Sequence, residues 1–223
     1  MKIFKYLRFL ITVNIKTVYF NFKYLPFKQA VRLPILLSNQ VNLKTTLGKI
    51  EIVYKIKTAM ITIGFEKSSM LNNKRIRSIW EVEGTVIFKG HAYIGYGSKI
   101  CVGKNGVLVL GENFTIIEKS EIISNLKIEF GNYCLLSWGV LVMDDDFHNI
   151  MDCNDRILNN PSPILIGDKV WIGCRSLVLK GATIPNGSVI GANSLVSKKL
   201  DDSNGLYVGS PAKLVKADII WRV

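Results

Sequence analysis

The sequence predicts an all-β-dominated fold, a three-sided prism of stacked parallel coils. Three observations carry this: a six-residue period in the aliphatic residues, small or turn-forming residues at fixed places within each six, and one long break in the count. From Ile166 the sixes open on Ile166, Ile172, Val178, Ile184, Ile190 and Val196. Their fifth positions, Val170, Ser176, Ala182, Ser188 and Ser194, are small or β-branched, and Gly167, Gly173 and Gly191 follow their openers. A helix would repeat apolar residues at three and four, and a half-buried strand at two, so neither explains a six. Six residues suit a short strand plus a corner. Three such units close one coil, with the Ile/Val column inside and parallel ladders along each face. Gly181 and Gly187 give the corners backbone freedom that a β-carbon would restrict.

The rest of the chain follows from its N-terminus. At 223 residues it is long enough for one domain with an appendage, and 48% hydrophobic with 10% aromatic content excludes a disordered chain. The net charge is +12, and residues 1–50 hold nine Lys/Arg and no Asp or Glu. No helix-turn-helix, zinc-finger or RNP-like sequence accompanies this charge, so nucleic acid is not the expected partner. An anionic membrane surface, a glycan or the phosphates of a cofactor fit better. The start, MKIFKYLRFLITVNIKTVYFNF, has too short a charge-free run (Phe9 to Ile15) to span a bilayer or form a signal-peptide core. On a helix it puts Phe4, Leu7, Ile11, Ile15, Val18 and Phe22 on one face, away from Lys2, Lys5 and Lys16. That face is expected to pack on the prism or on a neighbouring subunit, with peripheral membrane contact as the alternative.

Pro26 and Pro34 punctuate the next stretch, and alternation from Val41 to Ile63 reads as strands. The first regular coils are placed after them, where Ile76, Val82, Phe88, Ile94 and Ile100 repeat at six. Two slips of two residues, after Ile100 and after Ile122, read as extended corners. Leu110, Ile116, Phe130, Leu136 and Val142 keep the count between and beyond them. From Phe147 to Pro163 the pattern fails, and residues 147–163 read as a loop extruded from one corner, where function tends to sit on a rigid scaffold. The expected organisation is a basic helix and strand segment at 1–60, the prism at 61–200 and a tail at 201–223 that leaves the prism. Cys101, Cys134, Cys153 and Cys174 are widely spaced with no CxxC pair, so neither a zinc site nor a disulfide framework is expected, and a reducing cytoplasm fits.

IGDKVWIG, GATIP, IGANSLVSK and GSPAKLVK together resemble the carboxy-terminal half of the hexapeptide-repeat acyltransferases. The resemblance is strong over residues 94–216 and implies a left-handed parallel β-helix, a handedness that the general crossover rule would not predict. It further implies a homotrimer, with acetyl-CoA as co-substrate and no metal. D-x-D-F-H in MDDDFHNI is similar to the version in surface-polysaccharide acetyltransferases.

Acetyl transfer to a hydroxyl needs a base whose pKa lies near the operating pH, and a carboxylate to fix and stabilise the imidazole. The resemblance makes His148 the base. Asp146 is its expected partner with Asp144 next, and Asp144 and Trp138 are assigned to the acceptor side. Matching the family's donor-groove positions gives Gly173, Cys174, Ala192, Ser197, Lys213 and Lys216, with the lysines toward the phosphates. Trp171 either walls that site or packs at a corner. The family's asparagine-rich stretch is replaced by Ile117, Glu118 and Lys119, so the acceptor site differs. His91 reads as structural, and two histidines in different coils cannot supply three metal ligands from one chain. The expected reaction is O-acetylation of a sugar in capsule, O-antigen or exopolysaccharide synthesis. The alternatives are N-acetylation of an amino sugar and a non-catalytic β-helix used for binding or assembly.

Overall fold

The computed structural model describes residues 13–66 and 76–222. Each described strand up to Leu195–Val196 pairs in parallel with strands three places away in the chain, as a backbone turning through three faces per coil requires, apart from the added pairing of Val189–Ile190 with Leu206–Val208. The described strands form three sheets of nine, seven and six. On the first, Ile63, Ile94, Ile116, Leu136, Ile172 and Ile190 lie directly above one another. Trp80, Ile100, Ile122, Val142, Val178 and Val196 do so on the second, and Phe88, Leu110, Phe130, Ile166 and Ile184 on the third. All of these side chains are buried and form one core. Each contributes about 1.5–3 kcal/mol by leaving water.

The six-residue period is visible only where corners are shortest. Ile172 and Ile190 stack 18 residues apart, whereas 22 residues separate Ile94 from Ile116. The extra residues sit at the corner between the second and third faces, where Gly106 donates back to Gly103. From Gly97 onward the other two corners turn on one left-handed residue per coil. Between the first and second faces these are Gly97, Lys119, Gly139, Arg175 and Asn193; between the third and first they are Asn113, Tyr133, Lys169, Gly187 and Asn204. The buried fifth positions of the sixes fill the inside of the turns. Ser176, fully buried, satisfies its hydroxyl on the carbonyl of Gly191 one coil on.

Both ends differ from expectation. The prism begins at β1 (Ile35–Leu37), β2 (Val41–Thr46) and β3 (Lys49–Ile52), which pair with the strands at 61–65, 78–82 and 85–88. The segment expected to precede the coils is therefore the first coil. The long links that follow it, from Ile52 to Ile61 and from Phe65 to Ser78, hide the period. At the other end the tail does not leave the prism: Leu206–Val208 adds to the first sheet, and Lys213–Lys216 turns back antiparallel on it. Trp221 then packs on Trp171, whose indole donates to Ser137, so Trp171 is corner packing.

Helix α1 (Ile15–Tyr24) covers the open edge of β1. An exposed edge strand presents unpaired N–H and C=O groups. Here Asn21 donates to Ile35 O and accepts from Ile35 N, while Thr17 exchanges the same pair of bonds with Leu37. The helix therefore turns polar residues inward, with Phe20 packed edge-on to Trp80. Ile15, Val18 and Phe22, expected to pack on the prism or on a neighbouring subunit, point away from the prism. Phe4, Leu7 and Ile11 of the expected face lie outside the described residues. Among the described residues, no helix is long and apolar enough to cross a membrane.

Candidate active site

Most of the expected site residues lie at two corners of the prism. The first is the loop between Met143, on the second face, and Ile164, on the third, which carries His148. The three aspartates at its root serve three purposes. Asp144 is fully buried and accepts from the Ser124 hydroxyl at 2.9 Å and the amides of Asn125 and Leu126 at 2.7 and 3.1 Å. It ties the loop to the preceding corner and is shut off from an acceptor, which corrects its assignment to the substrate side. Asp145 accepts from the Asn125 side chain at 2.9 Å and from Phe147 N at 3.0 Å, a local turn that sets Phe147 in the left-handed region.

Asp146 meets Lys180, not the His148 ring. The Lys180 ammonium donates to Asp146 Oδ2 at 2.6 Å and to the carbonyl of Asn159, and Asn159 Nδ2 donates both to Asp146 Oδ2 and to the carbonyl of His148 at 2.8 Å. The Lys180 bond, with that of Asn159, holds the Asp146 carboxyl below the usual carboxylate range. The two strands of the loop are thus clamped on either side of His148. Its side chain is exposed, and among the described residues no hydrogen bond or ion pair restrains the imidazole.

The second corner lies between the first and second faces. A cavity of about 500 Å³ is lined there by Trp138, Cys174, Arg175, Ala192 and Asn193, the same corner on successive coils. The structure thus brings Cys174 and Ala192 together with Trp138. Ser197 is exposed beyond this corner, and Lys213 and Lys216 are exposed on the edge strand, so none of the three lines the cavity. Gly173 is buried between coils: a β-carbon there would stand 2.7 Å from Ala192 N and Ile190 O. It serves the stacking of the corner. Burial pushes the Cys134 thiol up to about 12, so it remains protonated at neutral pH. His91 lies 4.0 Å from Glu112 and edge-on to Tyr54, away from both corners.

No family model matches the chain. A protein of Escherichia coli (strain K12) provisionally named as a lipopolysaccharide biosynthesis O-acetyl transferase, WbbJ, is 27% identical over 143 residues, covering 60% of this chain and 72% of that protein. The polysialic acid O-acetyltransferase of E. coli O1:K1 is 32% identical over 134 residues, which are 60% of this chain and 41% of that one. Among solved structures, the polysialic-acid-specific acetyltransferase NeuO superposes with a TM-score of 0.52 at 23% identity, over 85% of this chain and 84% of that one. The chain is similar to these O-acetyltransferases, and it shares the fold of the polysialic-acid-specific enzyme. Its prism is accordingly a left-handed parallel β-helix.

Sequence reading of this chain missed Lys180, Asn159, Arg175 and Asn193. Lys180 lies 34 residues beyond Asp146 and is brought to it only because the loop returns over the next coil. Arg175 and Asn193 carried a weak signal, since each follows the WIG-x or IGA segment already singled out. Their left-handed backbone (φ 59° and 58°) belongs to the corner that lines the cavity.

Proposed function

We propose that this acyltransferase moves an acetyl group from acetyl-CoA to a hydroxyl of a sugar in a surface polysaccharide, with His148 as general base. The observation that carries the reading is the clamped loop. Asp144 fixes its root and the Lys180–Asp146–Asn159 group fixes its two strands, leaving the one unrestrained imidazole at its surface. The relatives named above are O-acetyltransferases of lipopolysaccharide and polysialic acid, which supports a glycan acceptor.

The donor is assigned to the cavity at the other corner. Its residues fit an acyl-CoA: Ala192 and Cys174 leave room for a narrow chain beside the backbone, and Arg175 supplies a fixed positive charge for a phosphate, with Lys213 and Lys216 along the same end of the prism. The bound thioester supplies an activated acyl carbon. His148 takes the proton from the acceptor hydroxyl as its oxygen forms the new bond, then returns it to the departing thiolate. Asp146 acts by holding the loop rather than by pairing with the ring.

Base and cavity occupy different corners of one chain, so a neighbour in a homotrimer would bring corner to corner. The working parts are the N-terminal helix, the prism with its loop, and the closing strands. We propose that the reaction runs in the cytoplasm, with the inner face of the membrane as its finer location. The test is His148→Ala with CoA release followed against glycan and amino-sugar acceptors. A fall of about 10²–10⁴ is expected, and undiminished release sinks the mechanism.

A further inference from the structure

The outward face of α1 is more apolar than the face it packs with. Inward are Thr17, Phe20 and Asn21, two of the three polar because the edge of β1 must be hydrogen-bonded. Outward are Ile15, 85% exposed, with Val18, Tyr19 and Phe22 one and two turns on. Phe27, 72% exposed, continues the patch with its ring 5.8 Å from that of Phe22, and Val31 extends it beyond the next helical turn, Phe27–Ala30. A contiguous apolar patch on one helical element is the kind of surface that marks a binding partner.

Charge selects the partner. Exposed Lys23, Lys28 and Arg32 rim the patch, and no acidic residue occurs anywhere in residues 1–50. The remaining 173 residues carry 20 Lys/Arg against 17 Asp/Glu, so a second copy of this chain offers net positive charge to a positive face. An anionic bilayer offers the opposite sign together with an apolar layer beneath it. We infer that Ile15, Val18, Phe22 and Phe27 seat in an anionic lipid surface, with Lys23, Lys28 and Arg32 at headgroup level. The prism then hangs from its N-terminal coil, its loop and cavity toward the far end. This does not depend on the acetyl-transfer reading.

The full chain is floated with vesicles of mixed phosphatidylglycerol and phosphatidylcholine, and with phosphatidylcholine alone, at low and high salt. Binding is expected to the anionic vesicles only and to weaken with salt. Phe22→Ser with Phe27→Ser should abolish it, and Lys23→Gln with Lys28→Gln and Arg32→Gln should weaken it about fivefold per charge. These side chains are solvent-exposed, so thermal unfolding and CoA release with a soluble acceptor should be unchanged in both variants. Failure to float, or flotation that both variants retain, overturns the inference. A fall in molar mass by light scattering in the Phe22/Phe27 variant would also overturn it, since the face would then join copies.

Discussion

Asp144→Asn separates a folding role from a substrate role at the root of the loop. The carboxylate is fully buried, with Oδ2 accepting from Ser124 and Leu126 and Oδ1 from Asn125. Asparagine keeps the shape but has one acceptor oxygen. Whichever way its amide is turned, the NH₂ meets at least one backbone N–H that can no longer be satisfied. A hydrogen bond to a charged acceptor contributes about 1.5–3 kcal/mol, and a buried donor left unpaired costs a similar amount. We therefore expect a loss of about 2–4 kcal/mol, close to one strong bond plus part of the desolvation cost. For a chain of this length that lowers the melting temperature by roughly 5–15 °C. Circular dichroism with heating reads the shift, and kcat and KM measured well below the transition read the site. The melting temperature should fall while KM for the acceptor moves less than about threefold. An unmoved melting temperature with a tenfold rise in KM would mean that Asp144 contacts the acceptor, and the reasoning would be wrong.

Lys180→Met should release Asp146 and the loop, lowering kcat by roughly 10-fold or more as His148 loses its placement. Lys180→Arg should restore part of it, and trypsin should cut faster at Arg156 in the Met variant. In the native protein the Asp146 anchor, whose carboxyl is held below the usual 3.8, should stabilise the loop at all pH above that ordinary value and be lost only as pH falls through the depressed one, as proteolysis at stepped pH would record. Asn21→Ala leaves the backbone pair of Ile35 without partners under the helix and should cost about 2–4 kcal/mol in urea unfolding. Gly173→Ala puts a β-carbon against the Ile190–Ala192 backbone and should destabilise by about 1–3 kcal/mol, with donor KM following the loss of cavity shape.

The prism was legible because a coil repeats its chemistry. Ile166, Ile172, Val178 and their successors each meet the same interior, so one composition recurs at one interval and needs no knowledge of distant residues. The loop was legible for the converse reason, since a stretch that packs into no face keeps no period. The first coil was missed because the long links after it, from Ile52 to Ile61 and from Phe65 to Ser78, break the period between it and the later coils. That the apolar face of α1 turns away from the prism was not legible, because apolar spacing shows which residues share a side, not what that side meets. Asn21 and Thr17 face inward only because an open sheet edge is there to be paired.

The sequence by itself determined the scaffold, the loop and its histidine, and part of the corner where Cys174 and Ala192 lie. Only the tertiary structure decided the roles of the three aspartates. They are adjacent in the chain and alike in chemistry, and what distinguishes them is which groups from positions 124–126, 159 and 180 reach each carboxylate. Those partners are fixed by how coils stack, a long-range geometry that no local pattern encodes.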